Sequence, residues 1–203
     1  MKKIISLVLL VVFATSLVAC SNSDNAKIKG IYPYVLSESE ENLLRAFGLD
    51  SHSQAISFHA PPEAISLCVN VYVLDENEKW KTIGGGGFST GVDRNLTKDL
   101  TGMFAMQRRH DYSIAFSITR GGVDLYTTGA TVPAAQIVAA KSIFLTGFQE
   151  IELDKEIPIA LMIYTSSNEI IRSNSLEDYF EPTRFAGMDL VQAVTLTFSD
   201  KEV

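Results

Sequence analysis

Two cysteines, three histidines, a run of four glycines and a cluster of turn carboxylates are the residues of this 203-residue chain whose types and spacing bear on chemistry. A cysteine becomes a nucleophile where a positive charge or a helix start lowers its pKa. Cys68 lies in the apolar run Ile65-Ser66-Leu67-Cys68-Val69-Asn70-Val71-Tyr72-Val73-Leu74 with neither nearby, which predicts a packed, inert thiol. Gly84-Gly85-Gly86-Gly87 has the bare amides that can cradle an anion. A phosphate loop also needs a Gly-Lys-Ser/Thr ending that opens a helix, and this run leads instead to Phe88-Ser89-Thr90-Gly91. The expectation is a flexible loop or bulged strand end, among the more mobile parts of the body. His52 and His59 stand seven apart in a Ser-rich connector, and His110 follows Arg108-Arg109. No Gly-x-Ser-x-Gly or His-Glu-x-x-His accompanies them, so the histidines are expected at surface or turn positions and the arginine pair in a solvated turn.

Acidic residues offer two further chemistries. Asp75-Glu76-Asn77-Glu78 places four oxygen-bearing side chains in one turn but lacks the alternating spacing and glycine of a calcium loop. Two carboxylates facing each other across a cleft would suit glycoside hydrolysis, a pairing that sequence cannot display. Trp80 with Tyr72 and Tyr126 are the candidate ligand-binding residues, as an aromatic platform for a sugar ring; half-buried packing explains them as well. No catalytic residue, metal site or cofactor is expected.

The elements that must position these groups follow a period of two. Leu67, Val69, Val71 and Val73 alternate along a central strand, and Asp75 to Glu78 turn it into a hairpin partner through Lys79-Trp80-Lys81-Thr82-Ile83. Tyr112, Ile114, Phe116 and Ile118 make another strand, turned by Gly121-Gly122 into Val123 to Tyr126. Ile157, Ile159, Leu161 and Ile163 form a further strand, and Leu190 to Phe198 the last. Earlier, Ser37 and Glu40 form a capping box for a helix running to Phe47, with Gly48 as its stop and Leu43, Leu44 and Phe47 as a narrow stripe lying on the body. Thr131 to Ala140 and Ser175 to Phe180 each permit a short helix as crossover segments. The fold class is therefore all-β, an antiparallel β-sandwich with a few short helices, with barrel closure left open.

The N-terminus carries an address. Lys2-Lys3 precede an apolar run from Ile4 to Val12, and Leu17-Val18-Ala19-Cys20 follow. This stretch resembles the lipobox of bacterial lipoproteins, whose pattern is Leu, a small or branched residue, Ala or Gly, then Cys; all four positions match. The resemblance implies that Cys20 is diacylated on sulfur and becomes the first residue of the mature chain. A transmembrane anchor needs about 20 apolar residues, and Thr15 and Ser16 interrupt this run. A cleaved secretory signal that merely ends in cysteine is the alternative. Two acyl chains hold a protein stably to a bilayer where one does not. The expected organisation is signal peptide 1–19, lipidated Cys20 with a flexible spacer to residue 29, and one domain over 30–203 at the extracytoplasmic face of the cell membrane.

A second resemblance covers the last third. Glu156-Ile157-Pro158-Ile159-Ala160-Leu161, Ile163-Tyr164-Thr165-Ser166, Asn168-Glu169-Ile170 and Ala193-Val194-Thr195-Leu196-Thr197-Phe198-Ser199-Asp200 look like uncharacterised extracytoplasmic proteins of Gram-positive bacteria, and imply one sandwich core without a catalytic motif.

Charge limits the partners. Without Lys2 and Lys3 the body keeps 15 basic residues against 24 acidic, a formal charge of −9. Nucleic-acid binders cluster Lys and Arg, so nucleic acid is excluded. Besides Cys20 only Cys68 remains, so no disulfide forms within the body. The expected function is a non-catalytic, membrane-anchored domain, held through the lipid on Cys20, that binds an envelope glycan or exported protein partner. An envelope glycan hydrolase or a carbohydrate-binding module is the alternative.

Overall fold

Strands with one apolar face bury it by pairing into sheets and packing the sheets together. This chain does so twice, each time with five antiparallel strands. The computed structural model describes residues 29–90, 99–133, 135–167 and 174–202. The leader 1–19, Cys20, the spacer up to residue 28 and Asn168 to Ile170 lie outside the described residues. The first sheet contains β1 (Gly30–Pro33), β2 (Ser53–His59), β5 (Thr101–Arg108), β6 (Ile114–Thr119) and β7 (Val123–Thr127), in the order β1-β2-β5-β6-β7. The second contains β3 (Ser66–Leu74), β4 (Trp80–Ser89), β8 (Ala139–Phe144), β9 (Glu156–Thr165) and β10 (Leu190–Ser199), in the order β4-β3-β10-β9-β8. The protein is an all-β sandwich of two antiparallel sheets, with one α-helix among the described residues.

Inward residues alternate as the strand period requires. Ile56, Phe58, Phe104 and Phe116 of the first sheet meet Leu67, Val69, Leu196 and Phe198 of the second, all fully or almost fully buried. The Phe58 and Phe198 rings stand 5.6 Å apart across the layer. Burial of each such side chain contributes about 1.5–3 kcal/mol. The two sheets stay separate, but both open sides are bridged. Ile31 and Gln149 exchange backbone hydrogen bonds of 2.9 Å at one side, and at the other Tyr126 Oη donates to the Gly87 carbonyl at 3.0 Å.

Several expectations are corrected here. Gly84 to Gly87 are no loop: they lie within β4 and pair with Val71, Asn70, Val69 and Cys68. A bulge at Ile83, between the pairs Tyr72–Thr82 and Val71–Gly84, precedes them. The Ser-rich connector holding His52 and His59 is largely strand β2, and His59 is buried with Nε2 3.3 Å from the Asp99 carboxylate. Arg108 ends β5, with Nη2 2.8 Å from His52 Nδ1 and its guanidinium 5.7 Å over the Tyr164 ring; Arg109 and His110 are the exposed turn residues. The Thr131–Ala140 segment forms no helix among its described residues and ends in β8. Strands β1, β5 and β8 show no clear period in sequence: β1 has four residues, and the Gly, Ala, Ser, Thr and Met in β5 and β8 give weak contrast between their two faces.

The predicted helix is present as α1 (Glu38–Ala46). The Ser37 backbone N–H donates to Glu40 Oε2 at 2.7 Å, and the Glu40 N–H reaches back to Ser37 Oγ at 3.4 Å. The Ser37 backbone N–H, then its hydroxyl, hold the Glu40 carboxyl below its usual range. Gly48, at φ +66°, ends the helix in the left-handed region that favours glycine. The apolar stripe departs from expectation: α1 buries none of its residues, and Leu43 and Phe47 are 58% and 71% exposed.

Candidate functional site

Two regions outside the shared core gather side chains that could recognise something. The first lies on the outer face of the second sheet. Strand β10 is central, so its outward residues Val191 and Ala193, with Leu161 and Ile163 of β9, are apolar and need a cover. Two short 3-10 turns, Leu176–Phe180 and Pro182–Phe185, supply it by inserting Tyr179 and Phe185. Buried Asp178 fixes the cover: its Oδ2 accepts from the Ser175 N–H at 3.1 Å and from Asn174 Nδ2 at 3.0 Å, and its Oδ1 lies 3.2 Å from Arg184 Nε.

Tyr72 and Trp80 belong to this cover. The Trp80 and Tyr179 rings stack at 5.1 Å, Phe185 meets the indole edge-on at 6.1 Å, and Trp80 Nε1 donates to the Tyr179 carbonyl at 2.8 Å. Glu156 sits beneath, accepting from Tyr72 Oη at 2.5 Å, Tyr179 Oη at 2.7 Å and Thr195 Oγ1 at 3.2 Å. Burial, then the hydrogen bond to the Glu156 carboxylate, pushes both tyrosine hydroxyls well above their usual range. Cys68 opens to the same face; burial and then the Glu156 charge raise its thiol, which disfavours a thiolate nucleophile. One indole face is thus stacked on Tyr179, and both tyrosine hydroxyls are engaged by one carboxylate.

Tyr126, the third aromatic candidate, is elsewhere. It stacks on Phe116 at 4.9 Å at the β7 edge, on the far side of the sandwich side opening from Tyr72 and Trp80. Its ring lies against Gly86, where an added Cβ would stand 2.3 Å from Cε1. Gly84 and Gly86 therefore serve close approach to Thr128 and Tyr126, whereas a Cβ on Gly85 or Gly87 would meet the backbone of β3.

The carboxylates also sort themselves. Asp75 Oδ1 accepts from the Asn77 and Lys79 N–H groups at 2.9 Å each, closing the β3–β4 turn. Among the described residues no group of three His, Cys, Asp or Glu side chains is placed to hold a metal ion. Glu150, Glu152, Glu156 and Glu177 line a recess of about 290 Å³ beside β9. Within it Glu152 pairs with Lys155, Glu156 accepts the three hydroxyls, and the Ser175 hydroxyl lowers the Glu177 carboxyl.

The second region is the outer face of the first sheet, and sequence reasoning missed it. The core takes Ile31, Ile56, Phe58, Phe104, Met106, Ile114, Phe116 and Ile118, so their alternates face out. Register lays those alternates in rows: Tyr32, Ser57, Met103, Thr119 and Val123; Ala55, Ala105, Ser117 and Leu125; Ser53, Gln107, Ala115 and Thr127. None is Asp, Glu, Lys or Arg. At one margin stand exposed Tyr32, Tyr34, Val35, Leu43 and Phe47; at the other, Val123 is 60% and Leu125 78% exposed. Between α1 and the β2–β5 half of this face runs a groove of about 620 Å³, with Leu44, Ala55, Met103 and Ala105 in its wall and the charged Glu40, Glu41, Arg45 and Asp50 contributed by α1 and the turn after it.

No protein-family model, curated protein or solved structure matches this chain. The candidate site is therefore defined by its own geometry.

Proposed function

We propose that this protein is a lipid-anchored, extracytoplasmic, non-catalytic binding domain that works by apposing the outer face of its first sheet to another polypeptide. The uncharged face carries the reading. Monomeric proteins rarely leave a contiguous apolar patch of more than a few hundred Å² exposed, and interface cores are depleted of charge. A body of formal charge −9 whose first-sheet strands present no charged side chain outward in these rows, the nearest acidic groups being those of α1, is consistent with a contact surface.

A polypeptide partner suits this face better than a glycan does. Sugar platforms present an open aromatic ring with polar groups beside it, whereas Trp80 is stacked on Tyr179 and the inner strands of the first sheet present Ala, Ser, Thr and Met, with Tyr32 and Tyr34 only at the margin. The lipobox resemblance at Cys20 supplies the anchor. Among the described residues no helix is long and apolar enough to cross a membrane.

Two measurements on the full chain test the reading. Metabolic labelling with an alkyne fatty acid is expected to mark the wild type and leave Cys20→Ala unmarked; equal labelling overturns the anchor. A benzophenone side chain at Leu125 is expected to give a discrete polypeptide adduct on illumination in cells. The same group at Phe180, exposed on the other sheet's side, is expected to give none. Lack of any adduct at Leu125 overturns the binding face.

A further inference from the structure

Cationic donors gather at one end of the first sheet, in a body that is otherwise acidic. The adjacent Arg108 and Arg109, with His52 and His110, line a recess of about 440 Å³, and Phe47 and Leu49 of the chain leaving α1 stand in its wall. Backbone hydrogen bonds fix the three segments that form it. The Arg108 N–H donates to the His52 carbonyl at 2.8 Å, tying the end of β5 to the start of β2. The His52 N–H donates to the Leu49 carbonyl at 3.0 Å, which holds the chain after α1 in place. The Arg109 N–H donates to the Ser113 carbonyl at 2.9 Å and the Tyr112 N–H to the Arg109 carbonyl at 3.1 Å, closing the turn that carries Arg109 and His110.

Neither arginine is neutralised within the protein. The ion pairs among the described residues use His59, Lys155, Arg184 and Lys201 as their cations. Arg108 is half-buried and oriented by the Tyr164 ring, 5.7 Å from its guanidinium, and by His52 Nδ1, 2.8 Å from Nη2; its buried Nε has no acceptor. A ring face and an imidazole orient a guanidinium without supplying the full negative charge of a carboxylate or phosphate. Asp111, the acid of this recess, is already committed. Its Oδ1 accepts from the Ser113 hydroxyl at 2.6 Å and from the Ser113 N–H at 3.1 Å, and these bonds, more than the Arg109 charge, hold its carboxyl below the usual range.

We infer that this recess binds the phosphate group of a small organic phosphate ester. The site does not depend on the contact face proposed above. A carboxylate brings one charge and two acceptor oxygens, which a single guanidinium fork satisfies. A phosphate group carries about −1.5 to −2 at neutral pH and three acceptor oxygens, which matches two guanidiniums with imidazoles beside them. Arg108 is oriented before the ligand arrives, so little of its side-chain freedom is lost on binding, and exposed Arg109 and His110 complete the contact from the turn. The recess has room for more than the anion, and Phe47 and Leu49 offer the attached group an apolar wall.

Equilibrium dialysis of the full chain in uncharged detergent against phosphorus-32-labelled inorganic phosphate tests the site. One saturable site per chain is expected. Arg109→Gln, at an exposed position, should weaken it roughly fivefold or more while the urea midpoint stays in place, and Arg108→Gln should weaken it further. Lys81→Gln, exposed on β4, removes the same charge elsewhere and is expected to leave binding unchanged. No saturable binding at roughly 10 mM phosphate, or equal loss in Arg109→Gln and Lys81→Gln, overturns the site. Phenyl phosphate is expected to displace the label at a lower concentration than unlabelled phosphate does; failure to do so overturns the organic ester. Dihexanoyl phosphatidate, a soluble lipid phosphate, separates the two sources of such a group: stronger displacement than by phenyl phosphate assigns the site to a lipid headgroup, and weaker displacement to a free ester.

Discussion

Glu156 is the residue on which the outer cover of the second sheet turns. Hydrogen bonds to a charged acceptor contribute about 1.5–3 kcal/mol, and Glu156 accepts from Tyr72, Tyr179 and Thr195. Glu156→Gln sets an amide donor against hydroxyl donors and is expected to destabilise the fold by about 2 kcal/mol in urea unfolding. The tyrosines add a pH dependence with a definite sign. Both hydroxyls ionise above their ordinary value of 10.0 in the folded chain. Tyr164, buried first of all and only partly relieved by Arg108, is pushed up to about 12. Below pH 10 folded and unfolded chains hold the same tyrosine protons. Above it the unfolded chain releases them first, so stability is expected to fall as pH rises from 10. A Tyr72→Phe, Tyr179→Phe chain, though less stable at pH 7, should show a shallower decline between pH 10 and 12; an unchanged slope would sink this account. Trp80 and Tyr72 were legible in the sequence as aromatic residues of one hairpin. Glu156 and Tyr179, remote in the chain, gave no local signal, because only the folded cover brings them beneath and beside the indole.

At the scale of elements, β4 and α1 behave oppositely to what their sequences suggest. Four consecutive glycines suggest mobility, yet they form a ladder with β3 because the side opening brings Tyr126 and Thr128 of the other sheet against Gly86 and Gly84. Gly86→Ala forces the stacked Tyr126 ring to move, and overpacking of this kind costs about 1–3 kcal/mol. Combined with Tyr126→Ala, it should cost less than the sum of the two single changes, since the clash disappears with the ring. Helix α1 reads strongly in sequence, through Ser37, Glu40 and Gly48, and it forms as read. Having no buried residue, it should open independently of the core. Ser37→Ala, a loss of about 1 kcal/mol of capping, is expected to speed amide exchange over 38–46 while the urea midpoint of the whole protein stays in place. A shifted midpoint would mean that α1 packs into the cooperative core.

The whole molecule combines an acidic body with one sheet whose outward strand residues are uncharged. Ala115→Arg on that face adds a solvated charge at a half-buried, outward position and should change stability by no more than about 0.5 kcal/mol in thermal unfolding. A large loss would place Ala115 in the core. Read by itself, the chain determined its strand-rich class, the helix with its caps, and the β3–β4 and β6–β7 hairpins. These are local properties, set by alternation, turn residues and a four-residue pattern. Tertiary structure alone decided which strands share a sheet, that the glycine run lies against Tyr126, and that Ala55, Ala105, Ala115 and Ser117 align into a charge-free surface. Register and sheet order fix those neighbours over separations of tens of residues, and no local pattern encodes a contact made at that distance.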